Sequence, residues 1–334
     1  MAGIEGLDLT IESLRLPDFN PPGIEVDDDY DPGDHSVKIT QVDTGGKDPT
    51  AYHHDRPRRD MEKYYMPIDE AELSRLNKQH NLWTRVLDGD FLKAPVKEPK
   101  HVLDVASGTG VWSTEFAKLH PNAQVLGIDI TKSAPPEVLP NCKFEERDFT
   151  GPWDFPQKFD VVHCRLLFTI PYDPRVLIRK AYDSLAPGGY LEYQENYPFL
   201  LDVDGSLKGT FLEQYYLDIA LALRSLGNKH SHDVILFKKW MEETGFEDVG
   251  EIHRAMPMGG WAKGEYKDIG VKMRDNIEDA FNSLMRHLLG KGLGWSPEEV
   301  TKSIQRASET IRDKSVHAYL PAVVVYGRKP LNTS

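Results

Sequence analysis

The stretch His101-Val102-Leu103-Asp104-Val105-Ala106-Ser107-Gly108-Thr109-Gly110-Val111-Trp112-Ser113 decides the fold. It reads as an apolar, β-branched strand over residues 101–106, a glycine-rich turn, and a helix over residues 111–119. Gly108 and Gly110 permit positive φ and close approach of a ligand, and free N–H groups at a helix start favour carboxylate or phosphate oxygens. A second strand covers residues 124–130, and Asp129 near its end stands nineteen residues after Gly110. An acid in that place is positioned to accept hydrogen bonds from ribose hydroxyls. Turn and acid together predict a site for a nucleotide-bearing cofactor.

Outward from this unit, strands are predicted over residues 142–147, 159–164 and 190–194, with a helix over 174–185 that stops at Pro187-Gly188-Gly189. Strands alternating with amphipathic helices specify an α/β fold, a doubly wound parallel sheet. A dinucleotide fingerprint would place a third glycine where Ser113 stands, which weighs against NAD.

The row Asp104-Val105-Ala106-Ser107-Gly108-Thr109-Gly110, Gly127-Ile128-Asp129-Ile130, Phe144-Glu145-Glu146-Arg147-Asp148-Phe149, Phe159-Asp160-Val161-Val162-His163-Cys164-Arg165 and Leu185-Ala186-Pro187-Gly188-Gly189-Tyr190 resembles the class I S-adenosylmethionine-dependent methyltransferases. The resemblance implies a Rossmann-like, seven-stranded sheet whose last strand, over residues 322–326, runs antiparallel at the sheet edge. It implies S-adenosyl-L-methionine as cofactor. Asp104, Ala106, Ser107, Gly108 and Gly110 would hold the methionine part, Asp129 the ribose hydroxyls, and Asp148 with Phe149 the edge and face of adenine. Ile130 and Tyr65 join the same cofactor-binding set. Ala106 stands where many members of the family have glycine, and Asp148 equally suits a turn after a strand. Tyr65-Met66-Pro67-Ile68-Asp69-Glu70, Leu293-Gly294-Trp295-Ser296 and His317-Ala318-Tyr319-Leu320-Pro321 are similar to segments of the LaeA-like fungal secondary-metabolism methyltransferases, a likeness spanning residues 60–330.

Residues 1–60 carry acids and turn-formers without periodicity and are expected to form a flexible acidic arm; residues 61–330 form the methyltransferase domain. Asp27-x-Asp29-x-Asp31 is no calcium loop, because Pro32 and Lys38 occupy the turn and closing positions, and no metal site is expected. A helix starts with Asp69 as cap and Glu72 three residues on, carries Leu73, Leu76, Trp83 and Leu87 as its apolar stripe, and ends near Asp88-Gly89. Helical insertions are expected at about 205–230 and 260–313. Phe211, Tyr215, Ile219 and Leu223 share one face of the first; Ile269, Met273, Ile277, Phe281, Leu284 and Leu288 share one of the second.

With 53 acids against 40 bases the chain has a formal charge of -13, which disfavours direct nucleic-acid binding and points to a small-molecule metabolite as partner. No apolar run is long enough for a membrane span, so no membrane partner is expected. Two cysteines, Cys142 and Cys164, are too few for a disulfide framework. The expected location is the cytoplasm, with Arg56, Arg58 and Arg59 leaving a nuclear role open. Methyl transfer to oxygen, nitrogen or sulfur of a small molecule in secondary metabolism is the reading that follows. The alternatives are a regulatory methyltransferase acting through protein partners in the nucleus, and a cofactor-bound protein catalysing a cyclisation. A base is needed only for a protonated acceptor; His163, His80 and His232 are the candidates, with His230 beside them and Glu195 at the same opening, and none belongs to a recognisable His–acid pair in sequence.

Overall fold

Two buried faces follow from one alternation. Val102 and Val161 pack against Trp112 and Phe116, whereas Leu103, Val105 and Val162 pack with Leu177, Ile178 and Phe237. Successive strand residues point to opposite faces, so a sheet apolar at both must be covered by helices on both. The computed structural model describes residues 24–30, 69–131, 137 and 139–331.

In chain order the first half comprises α1 (Glu70–Val86), β1 (His101–Val105), α2 (Val111–Leu119), β2 (Gln124–Asp129), β3 (Cys142–Glu146), β4 (Phe159–Arg165), α3 (Pro174–Ser184) and β5 (Leu185–Asn196). The second half comprises β6 (Leu201–Asp202), α4 (Phe211–Ser225), α5 (Phe237–Thr244), β7 (Glu247–Pro257), α6 (Glu265–Ala280), α7 (Pro297–Arg312) and β8 (Ala318–Arg328). Strands β3, β2, β1, β4 and β5 are neighbours in that order and parallel throughout.

The last strand is antiparallel, as expected, but it does not form the sheet edge. β8 pairs with β5 from Tyr190↔Arg328 to Asn196↔Ala322 and, on its other side, with β7 from Gly250↔Tyr326 to Pro257↔Tyr319. The reason lies in Val323, Val324 and Val325, a continuous apolar run buried on both faces, which is the pattern of an interior strand. The two-residue β6 pairs with the start of β8 and makes the sheet eight-stranded.

α1 starts where its cap predicts, with the Asp69 carboxylate accepting from the Glu72 N–H at 3.0 Å. Of its expected stripe Trp83 and Leu87 are buried, whereas Leu73 is 37% exposed, and Leu82 and Val86 complete the buried face. α4, α6 and α7 join α1 in the largest apolar cluster, which includes Tyr215, Ile219, Leu223, Met273, Phe281 and Leu288. The second addition is not one uninterrupted helix. It widens into π-helical turns at Phe281–Met285 and Leu288–Gly292, and restarts at Ser296 with a capping box to Glu299. A Cβ at Gly292 would stand 2.8 Å from the Ala222 carbonyl oxygen, so the close approach to α4 depends on this glycine.

Part of the expected flexible arm is docked. Residues 24–30 lie against the segment after β7: the Asp27 N–H donates to the Trp261 carbonyl (2.7 Å), the Lys263 N–H to the Glu25 carbonyl (2.9 Å), and Lys267 to the Asp27 carboxylate (2.7 Å). Ile24, Val26 and Tyr30 pack on Trp261, Ala262 and Tyr319. Their alternation makes one short extended pairing, Val26 with Ala262. The remaining residues of 1–60 lie outside the described ones. No helix among the described residues is long and apolar enough to cross a membrane.

Glu192 on β5 ties the segment after α1 to the sheet. Its carboxylate accepts from the Ala94 N–H at 2.6 Å, the Lys93 N–H at 2.8 Å and Gln194 Nε2 at 2.8 Å. Burial nevertheless pushes its carboxyl up to about 7. The folded protein therefore holds this proton to higher pH than the unfolded chain, so the contribution is full below the ordinary glutamate range and lost as pH rises to 7. That loss is about 3 kcal/mol by linkage. Glu192→Gln should flatten the decline in urea-unfolding stability between about pH 4.5 and 7; an unchanged decline would place the titrating group elsewhere.

Candidate functional site

The turn after β1 is built from backbone that side chains seldom adopt. Ala106, Gly108 and Gly110 have φ values of 54°, 55° and 77°. For Ala106 this left-handed conformation costs roughly 1 kcal/mol, which explains why glycine suits that position. A Cβ at Gly110 would stand 2.6 Å from the Phe144 ring of β3. Gly110 therefore serves the close packing of β3 under the turn and the start of α2.

The N–H groups of this turn are less free than the sequence suggests. Ser107 donates to the Ile128 carbonyl, Gly108 to Asp129 Oδ2 and Gly110 to the Ser107 carbonyl, each at 2.9 Å. What the turn offers is an open shape: a Cβ at Gly108 would meet nothing within 4 Å. Asp129 Oδ1 accepts from the Thr131 N–H and hydroxyl at 2.8 and 2.7 Å. Of about four lone-pair sites on a carboxylate, one on Oδ2 is left. Burial raises the Asp129 pKa, against the hydrogen bonds from Thr131 and Gly108.

These groups open on a cavity of about 350 Å3. Of the predicted set, Asp104, Ala106, Ser107, Gly108, Asp129, Ile130, Asp148 and Phe149 line it, as do His80 and His163. Asp148 also makes a turn, its Oδ1 accepting from the Thr150 N–H (2.8 Å) and hydroxyl (2.6 Å). Lys180 of α3 fixes that turn by donating to the carbonyls of Thr150 (2.6 Å) and Gly151 (2.7 Å). Phe149 meets Tyr172 edge to face at 5.5 Å.

Others lie apart. Gly110 is not on the cavity wall, for the packing reason given above. His232 and His230 sit beyond it, where His230 pairs with Asp233 at 2.6 Å. Glu195 is fully buried on the opposite face of β5, where burial raises its pKa. Tyr65 lies outside the described residues.

The two histidines of the cavity wall do have acidic partners, brought together from distant parts of the chain. Asp104 Oδ1 is 2.8 Å from His163 Nδ1, and Asp104 Oδ2 accepts from the Ser113 hydroxyl at 2.5 Å. His163 is buried and stacks on Trp112 at 3.7 Å. Burial lowers its pKa, which favours the neutral ring. His80 Nε2 meets Glu115 at 2.9 Å, and its Nδ1 accepts from Arg165 at 2.9 Å. Burial, followed by the Arg165 charge, depresses the His80 pKa, so it too is neutral. With both nitrogens engaged, His80 is built to orient Arg165 rather than to take a proton from an acceptor.

Arg165 is the site residue that sequence reasoning missed. It ends β4 one residue past the predicted strand, lines the cavity, and among the described residues its guanidinium makes one hydrogen bond, to His80. Burial brings its pKa down to about 10, which leaves it cationic at neutral pH. The signal available in the sequence was alternation: Val161, His163 and Arg165 share the face that β4 turns toward α2. Both cysteines are buried and unpaired, and no metal-type cluster occurs among the described residues.

Five parallel strands, an antiparallel β8 inside the sheet, and a cleft at the carboxyl ends of β1, β2 and β4 define a Rossmann-like fold of the class I methyltransferase kind. The chain belongs to the methyltransferase domain family, which matches residues 77–251, and within it to the LaeA-like group. It is 30% identical over 271 residues to methyltransferase pytC of Aspergillus terreus, covering 80% of this chain and 83% of that protein. It is 30% identical to the probable methyltransferase tdiE of Emericella nidulans, covering 78% and 83%. To the secondary metabolism regulator laeA of Aspergillus flavus it is 27% identical, covering 80% and 74%. The protein is an S-adenosylmethionine-dependent methyltransferase of this fungal secondary-metabolism group.

Gly110→Ala should cost at least about 2 kcal/mol, from left-handed strain plus displacement of the Phe144 ring. Adding Phe144→Leu should recover part of that loss in chemical denaturation. Equal stability of Gly110→Ala and wild type would contradict this account of the turn.

Proposed function

We propose that the cavity binds S-adenosylmethionine with its ribose on Asp129, its adenine between Asp148 and Phe149, and its carboxylate on Arg165, and that the protein methylates oxygen, nitrogen or sulfur of a small metabolite. The chemistry of the wall supports the fit. A carboxylate oxygen with a lone pair left suits a hydroxyl donor, an aromatic ring suits an adenine face, and a guanidinium with spare N–H groups suits a carboxylate. Gly108 lets the ligand approach the turn closely. The observation that carries the proposal is the convergence of Asp129, Phe149 and Arg165 on one cavity of about 350 Å3.

When bound, the cofactor supplies a sulfonium methyl with a neutral thioether as leaving group. The protein's part is to bind and align. Asp129 and Arg165 fix the two polar groups, and the buried Asp104–His163 pair and the half-buried Glu115–His80 pair hold the walls in place. Orientation of this kind can supply much of the rate enhancement in an in-line displacement.

A regulatory role, as in the name of the laeA relative, is the second reading, favoured by the 27% identity over 278 residues. Methylation of candidate metabolites by purified protein with labelled cofactor favours the first; methylation of protein partners alone favours the second.

Asp129→Ala should weaken S-adenosylhomocysteine binding in calorimetry by about 1.5–3 kcal/mol, the value of one hydrogen bond to a charged group. Arg165→Met should weaken it by about the same amount. Wild-type affinity in either variant would remove that residue from the binding set.

A further inference from the structure

We propose that a second cavity, walled by α1, α4, α6 and the first π-helical turn, receives the methyl acceptor, and that the acceptor is an uncharged, largely apolar molecule carrying a hydrogen-bonding group. This rests on the methyl-transfer reading above and adds the acceptor's site and class. The cavity has a volume of about 70 Å3 and adjoins the cofactor cleft: Gln79 and Leu166 line both. Leu166 follows β4 directly and holds a φ of 58°. Backbone strain of that kind persists where the surrounding structure enforces it, and clusters at functional sites. Here it turns the chain at the junction of the two spaces. The π-helical turn at Phe281–Met285, which brings Leu284 and Met285 to the wall, is a second irregularity of the same sort.

The wall chemistry defines the ligand. Ile219, Met256, Met273 and Met285 make it apolar, and thioether side chains adapt to irregular shapes. Among them, besides the Trp83 indole N–H, stand the polar atoms Thr169 Oγ1, Asn196 Oδ1 and Tyr216 Oη. Their residues are only 5%, 4% and 5% exposed, and the atoms have no hydrogen-bond partner among the described residues. Burial holds the Tyr216 hydroxyl neutral. A ligand hydroxyl or amide entering here pairs groups that are costly to leave unpaired. The one ionic side chain on the wall, Arg75, is already bonded to Glu72 at 2.7 Å. An acidic acceptor would be desolvated with no free counter-charge. The space is smaller than the roughly 150 Å3 of an apolar cavity that holds benzene, so the acceptor enters by one end and the methionines move to admit a ring.

The test uses the full chain loaded with S-adenosylhomocysteine and titrated with 2-naphthol, 2-naphthoate and naphthalene at neutral pH. We expect 2-naphthol to bind and 2-naphthoate to bind at least about tenfold more weakly. Ile219→Trp, which fills the cavity, should weaken 2-naphthol about tenfold while S-adenosylhomocysteine affinity stays within about twofold. Should that variant fail to fold, Tyr216→Phe should weaken 2-naphthol about three- to tenfold and leave naphthalene unchanged. No 2-naphthol binding, naphthoate binding as tightly, or full 2-naphthol affinity in the folded variants would overturn the proposal while leaving the cofactor reading intact. Failure of the wild type to bind S-adenosylhomocysteine would overturn both.

Discussion

One buried carboxylate, Asp104, organises the site. It stands near the end of β1, and its two oxygens bind Ser113 on α2 and His163 on β4. These bonds fix the start of a helix and the end of a neighbouring strand against the strand between them. The turn from Ala106 to Gly110 is then closed over a set frame, so its strained φ values can be sustained. His163 passes the constraint on by stacking on Trp112, which packs with Phe116 in the apolar layer under α2. Removing the Asp104 side chain would leave two buried partners unsatisfied, which costs more than the bonds contribute in net terms.

A second charged chain runs beside the first. Glu115 orients His80, and His80 accepts from Arg165, which lines the cleft. The sheet face that carries Asp104, His163 and Arg165 is therefore polar at the carboxyl ends of the strands and apolar below. Burial favours the neutral form of both imidazoles. The cleft wall so carries cations, Arg165 and Lys180, as well as carboxylates, Asp129 and Asp148 among them.

Much of this was legible in the sequence, because it depends on local pattern. Strand positions, the Asp69 cap, the glycine turn and Asp129 all follow from periodicity and from residues that few other conformations would accept. The misses share a physical cause in tertiary contact. His163 and Asp104 are 59 residues apart and His80 and Glu115 are 35 apart, so no sequence spacing announces either pair. The interior place of β8 was visible in Val323–Val325 taken as a continuous run, yet which strands flank it is decided by the return of β7. The turn's N–H groups were expected to be free, but the strand-to-helix geometry engages Ser107, Gly108 and Gly110 within the protein. The docking of residues 24–30 depends on Trp261 and Tyr319, far along the chain.

The central claim is that the fold gathers Asp129, Phe149 and Arg165 to hold one cofactor in one orientation. A crystal structure of the protein with S-adenosylhomocysteine bound tests it most directly. The expected result is a ribose hydroxyl within hydrogen-bond distance of Asp129 Oδ2, the adenine against Phe149, and the carboxylate on Arg165. A ligand with its carboxylate at Asp148 and its adenine toward Arg165, or one seated among α1, α4 and α6, would contradict it.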